Sequence, residues 1–334
     1  MASFAETGPS RPVVTPVRVD KVSPRARLLR AIRALVVIVL AVVGLIPVLV
    51  MAMTAFKSRP DIVRVPPSLT FSPTLEGFVF LLTDRAIVAQ SRIAAFQEAA
   101  AAGELTIFER TALNTGYEIT GPSDYVDRLK NSIIVAGVST IFSVVLGLFA
   151  AYAFSRYRVA GKNDLLFFIL STRMLPAVVV TIPLFIMYTQ LKLHDTHIGL
   201  ILLYTVFNLS FSVWLLKGFI DEIPQEYEEA ALVDGYTRLQ TFFKIVLPQA
   251  MTGIAATTVF CLIFAWNEYA FALMLTSEKA RTAPPSIATM LGSGGIEWSA
   301  IAAGSLGFLI PVVIVTFALR NYLLRGVTFG AIRK

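Results

Sequence analysis

Residues 133–154 read IIVAGVSTIFSVVLGLFAAYAF, 22 consecutive residues without a charge. As a helix rising about 1.5 Å per residue, such a run covers roughly 30 Å, the thickness of a bilayer's hydrocarbon core. Five further runs of the same kind surround it: Ala34–Phe56, Leu165–Leu191, Ile198–Leu216, Met251–Thr276 and Ala300–Leu319. Only two charges interrupt them, Arg173 and Glu268. The pattern predicts an all-α polytopic membrane protein with six transmembrane helices.

Composition agrees. Of 334 residues 56% are hydrophobic and only 15% charged, with a mean hydropathy of +0.71, more apolar surface than a soluble fold can hide. A soluble enzyme is excluded on these grounds. The net charge of +7 is what loops beside anionic lipid carry, so it does not point to nucleic acid. The single cysteine, Cys261, excludes an intramolecular disulfide and a cysteine-based zinc site.

Orientation follows from Lys and Arg. With the N-terminus inside, the tail, the two short inner loops and the C-terminal end hold 17 of them, against three, Lys192, Lys279 and Arg281, in the short outer loops. Both termini are therefore expected in the cytoplasm. Arg25 to Arg33 before an apolar stretch also fit a signal peptide. The run to Phe56 is long for one and lacks a small-residue cleavage site, so it is read as a helix. The expected organisation is a cytoplasmic tail (1–33), a first span (34–56), a long outer loop (57–130), a five-helix core (131–324) and a C-terminal tail (325–334). Little periodicity marks the sequence through Pro24, which reads as disordered.

A loop of the length of 57–130 is more than a connector. Pro60, Pro66, Pro67 and Pro73 rule out a continuous helix at its start, and Asp84–Glu109 reads as an amphipathic helix broken near Gly103. It suits either a docking surface for an extracytoplasmic partner or a solvated insertion.

Between the fourth and fifth spans, 221–248 is the most acidic inner segment. Pro224 suits a helix's first turn, the following acids favour its positive end, and Gly235 can take the left-handed conformation that ends it. Thr237 can cap a second helix running to about Leu247, with Pro248 stopping it. Ala230 and Ala231 beside Glu229 offer a small-residue surface with one charge for a partner. The product is a helix-turn-helix on the cytoplasmic face.

The spacing Glu229-Ala230-Ala231, three residues, Gly235, nine residues, Ile245-Val246-Leu247-Pro248 resembles the EAA signature of membrane subunits of ATP-binding cassette importers. Asn131-Ser132, Tyr152-Ala153-Phe154-Ser155-Arg156-Tyr157 and Ala265-Trp266-Asn267-Glu268-Tyr269 resemble more narrowly its sugar-uptake branch, the smaller membrane subunit of maltose permeases. Gly326, Thr328 and Gly330 lie in a tail similar to one that, in that system, reaches between the ATPase subunits. The resemblance implies the type I importer permease fold, in which 221–248 couples the spans to a separate ATPase. It implies no cofactor on this chain, with ATP and Mg on two partner ATPase subunits. It also implies a homologous second permease subunit, an extracytoplasmic solute-binding protein, a carbohydrate substrate and a bacterial or archaeal inner membrane.

Polar residues inside the spans are candidates for function. Glu268 and Asn267, with Phe264 and Phe271 nearby, suit the outer half of a solute pathway; the same residues also suit interhelical hydrogen bonds. Counting rise along continuous helices puts Arg173 and Glu268 at different depths. Arg173 before Pro176 and Pro183 predicts a broken helix near a moving part, and the arginine suits a buried pair partner equally well. His194 and His197 flank Asp195 without a third soft ligand, so a solvated turn is expected rather than a metal site. No phosphate-binding loop occurs, Gly292 to Gly295 included. An ion-gradient-driven secondary transporter or channel is the competing class, but one span acid and no visible repeat argue against it. A membrane enzyme lacks a convergent nucleophile, base and metal set.

Overall fold

The computed structural model describes residues 24–66, 68–103, 109, 112–113, 116–292 and 295–329. Helix α1 (Pro24–Ala55) starts ten residues before the expected span boundary at 34, on a proline that needs no N–H there. The remainder of the expected tail lies outside the described residues. The side chains of α1 from Leu28 to Val50 are exposed.

The body that follows, 51–334, opens with short helices α2 (Arg59–Val63) and α3 (Glu76–Leu82). Strand β1 (Thr83–Ile87), helix α4 (Gln90–Ala102) and strand β2 (Tyr117–Pro122) come next. The helix expected over Asp84–Glu109 is thus corrected at its start: Asp84 to Ile87 pair antiparallel with β2 instead. The break expected near Gly103 is present, with φ of 74° at that glycine. Val88, Phe96 and Ala112 form a small core of their own under this segment.

Helix α5 (Tyr125–Arg156) begins inside the predicted loop and reaches the predicted end of its span. It packs along α8 (His197–Asp221). The approach is close: a Cβ on Gly147 would sit 2.4 Å from the Cβ of Ser212, and the Ser143 hydroxyl bonds the Thr205 carbonyl at 3.2 Å. Small and hydroxyl side chains allow this where lipid removes the hydrophobic drive for helix association.

Among the described residues four helices are long and apolar enough to cross a membrane: Leu28–Ala55, Tyr125–Arg156, His197–Asp221 and Trp298–Arg320. Counting each of two bent helix pairs as one span, the number reaches six. The predicted span Leu165–Leu191 is one of them: α6 (Lys162–Ser171), a 3-10 turn (Thr172–Met174) and α7 (Ala177–Gln190), bent by 94°. Pro176 at the junction disfavours helical backbone at Leu175.

Met251–Thr276 is not a continuous span. Helix α11 (Met251–Trp266) ends before Asn267, and a separate α12 (Ala270–Leu275) starts after Tyr269. The other bent pair joins α11 at 73° to the helix before it. Helix α13 (Ala283–Ala288), the strand pair β3 (Leu291–Gly292) and β4 (Gly295–Ile296), and α14 (Trp298–Phe329) complete the chain. The Trp266 indole stacks on Phe308 at 4.7 Å and donates to its carbonyl, tying α11 to α14.

Candidate functional site

Helix α9 (Glu226–Val233) and α10 (Arg238–Thr241, continued by a π-helical turn Phe242–Val246 and by Leu247–Gln249) form the expected helix-turn-helix. The turn is built from local chemistry. Gly235 has φ of 88°, its N–H donates to the Leu232 carbonyl, and the Tyr236 N–H donates to that of Ala231. These two bonds are the Schellman closure that a left-handed glycine permits. Thr237 then caps α10: its hydroxyl accepts from the Gln240 N–H, and the Gln240 side chain accepts from the Thr237 N–H.

Two local expectations are corrected. Pro224 precedes the Gln225 cap and so lies outside the first turn of α9. Pro248 does not stop α10, which runs through it to Gln249. The π-helical turn ahead of Pro248, closed from the Leu247 N–H to the Phe242 carbonyl, supplies the altered hydrogen bonding that a residue without an N–H requires.

On α9, Glu229 and Ala230 are exposed but Ala231 is 4% exposed and faces the protein's own interior. The small-residue surface expected there is therefore Ala230 alone. Around it stand exposed apolar residues, Tyr227, Val233 at 87%, and Leu239. Ile245 and Leu247 are half-buried and Pro248 is exposed.

Glu228 is the acid that sequence reading passed over. It is 7% exposed, accepts from the Tyr152 hydroxyl at 2.8 Å and pairs with the Arg156 guanidinium. Arg156 also donates to the carbonyls of Ile220 and Ile223. Phe242 and Val246 bury against Leu148, Tyr152, Leu216 and Ile220 in the same cluster. The signal available in the sequence was Tyr152 and Arg156, four apart and thus on one helix face, at the polar end of an apolar run.

The second candidate region lies toward the other end of α8. Arg173, Tyr204, Phe207, Asn208, Phe264, Ala265, Glu268 and Phe271 line a cavity of about 210 Å³. Arg173 and Glu268 thus share one cavity, contrary to the different depths expected. Each residue sits beside a break in its helix, Arg173 on the 3-10 turn and Glu268 just past the end of α11 at Trp266. Phe264 is exposed, Phe271 is buried, and Asn267, bonded to the Ile263 carbonyl of its own helix, is not part of the lining. Glu268 accepts from the Tyr204 hydroxyl at 2.7 Å and from the N–H groups of Phe271 and Ala272 at 2.9 and 3.0 Å. Its carboxyl group thereby satisfies two N–H groups in the first turn of α12.

Beyond this cavity, the turn before α8 is not merely solvated. The Asp195 carboxylate accepts four backbone N–H bonds, from Ser277, Glu278, Lys279 and Ala280. Partial burial raises its pKa, but those four donors together outweigh it and leave the group below the usual carboxylate range. His197 bonds Asn131, whose amide donates to the carbonyls of Lys279 and Arg281, while Ser132 accepts from the Ala283 N–H. Asn131-Ser132 therefore fastens the segment ahead of α13. Among the described residues no group of acids, histidines and cysteine could hold a metal ion.

Helix α14 extends through the expected tail boundary at 325 to Phe329, so Gly326 and Thr328 lie on helical backbone; Gly330 lies outside the described residues. The bent and broken helices around a capped helix-turn-helix have a counterpart. Residues 143–329 match the family of binding-protein-dependent transport system inner membrane components. The chain belongs to that family. This permease is 31% identical over 88% of its length to a probable ABC transporter permease protein of Sinorhizobium fredii, covering 92% of that protein. It is 38% identical over 61% of its length to the trehalose transport system permease protein SugB of Mycobacterium tuberculosis, covering 76%. It is 28% identical over 89% to the trehalose/maltose permease protein MalG of Thermococcus litoralis, covering 94%. In fold, the permease resembles a chain of a bacterial ABC transporter that imports the acidic polysaccharide alginate. The TM-score is 0.60 at 19% identity, over 90% of this chain and 98% of that one.

Proposed function

We propose that this permease forms half of the membrane pathway of an ATP-driven importer for a saccharide and that α9 and α10 couple it to a separate ATPase subunit. One observation carries the coupling: Glu228 on α9 is held by Tyr152 and Arg156 of α5. A push on the exposed face of α9, where Glu229, Ala230, Tyr227 and Val233 stand, reaches a spanning helix through a buried ion pair rather than through a flexible loop. Gly235, Ile245, Leu247 and Pro248 set the shape of that face. The chain binds no cofactor; ATP and Mg belong to the ATPase partners.

The saccharide follows from relatives named for trehalose and maltose transport. Phe264, Phe271 and Glu268 are the residues this chain contributes to the pathway, with aromatic faces suited to a sugar ring. The partners are a second homologous permease subunit, two ATPase subunits and an extracytoplasmic solute-binding protein. The bias of Lys and Arg supports an inner-membrane orientation with both termini and 221–248 cytoplasmic and 57–130 outside. The resemblance of the tail supports Gly326, Thr328 and Gly330 as a contact with the ATPase subunits.

The experiment is purification of the tagged permease in mild detergent, followed by uptake in proteoliposomes. An ATPase subunit should copurify, and uptake of trehalose or maltose should require ATP and the binding protein. Uptake driven by an ion gradient without an ATPase subunit would overturn the reading.

A further inference from the structure

We propose that Arg173 contacts the transported solute and selects for a pair of adjacent oxygen acceptors, an inference that rests on the saccharide-import reading above. Arg173 sits on the 3-10 turn between α6 and α7. Its guanidinium lies 4.3 Å from the ring centroid of Phe264 and 5.3 Å from that of Phe211, and the two rings meet edge-on at 5.5 Å. These contacts hold the cation without using its hydrogen-bond donors. Among the described residues Arg173 makes no hydrogen bond and no ion pair.

The one acid in the cavity lining does not serve it. Both Glu268 oxygens are engaged, one by the Phe271 N–H and the other by the Tyr204 hydroxyl and the Ala272 N–H. Glu268 has its acceptors occupied by neutral donors, and Arg173 keeps its fork of donors at the wall of the 210 Å³ cavity. A planar guanidinium donates two parallel bonds to two adjacent oxygens, which a point-charge ammonium does not. Phe264, the exposed ring in the same lining, is the apolar surface there for the solute. The two oxygens come either from vicinal hydroxyls of a neutral sugar or from the carboxylate of an acidic one.

The test uses the complete complex, with both membrane subunits, ATPase subunits and binding protein, in proteoliposomes. Solute moved per ATP hydrolysed is measured for trehalose, maltose, diacetylchitobiose and an alginate oligosaccharide. Arg173→Lys and Arg173→Gln should assemble, with both membrane subunits and the ATPase subunits copurifying as in wild type, while transport per ATP falls by about tenfold, the loss of one charge-assisted hydrogen bond. If vicinal hydroxyls are the partner, Arg173→Gln retains more transport than Arg173→Lys; if a carboxylate is, the order reverses. A purely structural arginine would show no such dependence on the solute. Wild-type transport per ATP in both variants overturns the contact and leaves the saccharide reading standing. Loss of the second membrane subunit from both variant complexes would assign the guanidinium to an interface and also overturn it. If the wild type moves none of the four while its ATPase is stimulated, the saccharide reading fails, and the contact with it.

Discussion

The Glu228 carboxylate on α9 pairs with the Arg156 guanidinium in the last turn of α5, with only 9% and 7% of the two side chains exposed. Removing one partner of such a pair strands a buried charge, at a cost of about 3–5 kcal/mol, whereas removing both costs much less. Glu228→Leu and Arg156→Met should each destabilise the detergent-solubilised permease strongly, and the double variant should recover much of the loss in thermal unfolding. The recovered double variant should still hydrolyse ATP without coupled uptake. Additive effects would show that the pair does not act as a unit.

At Gly235 a φ of 88° is required, although a Cβ there would meet no other atom within 4 Å. The penalty for Gly235→Val is therefore one of backbone strain alone, on the order of 1–2 kcal/mol. Membrane insertion should be normal, while association with the ATPase subunit, or ligand-stimulated ATP hydrolysis, falls. Gln240→Ala removes half of the capping box and should cost less. Normal stimulation in Gly235→Val would detach this turn from coupling.

Both oxygens of Glu268 accept hydrogen bonds, so an amide is not an innocent replacement. Glu268→Gln places an NH2 group against an N–H or hydroxyl donor, a mismatch worth about 1–3 kcal/mol. The start of α12 should loosen and uptake should fall even if solute never touches residue 268. Hydrogen exchange at Phe271 and Ala272 measures this directly. Unchanged protection in Glu268→Gln would remove the capping role.

Asp195 has a folded-state pKa below its unfolded value of roughly 3.9, so its contribution to stability is complete above that value and is lost as pH falls through the folded pKa. Asp195→Asn should unfold at a lower temperature than wild type at pH 7, and the gap should close at a pH below the folded pKa. A gap that is constant with pH would mean that the charge does not hold the 277–280 turn.

Single cysteines at Ser91 and Gln225 in a Cys261→Ser background test the orientation. Both sites are exposed. An impermeant thiol reagent on intact cells should label the residue at 91 and spare the one at 225; the opposite pattern would invert the topology.

The sequence by itself determined the class, the number of apolar runs and the shape of the helix-turn-helix. Those are local quantities: hydropathy over about 20 residues, a glycine where φ must be positive, and a threonine three residues ahead of a glutamine. Tertiary structure decided which charges matter and how. Glu228 and Glu229 are neighbours with the same chemistry, and only packing against α5 buries the first and exposes the second. Arg173 and Glu268 line one cavity, the first on the turn where α6 gives way to α7 at 94° and the second just past the end of α11 at Trp266. A count of residues along ideal helices carries no information on either break. Asp195 likewise became a clamp through four N–H groups about eighty residues away, a partnership that only the folded chain creates.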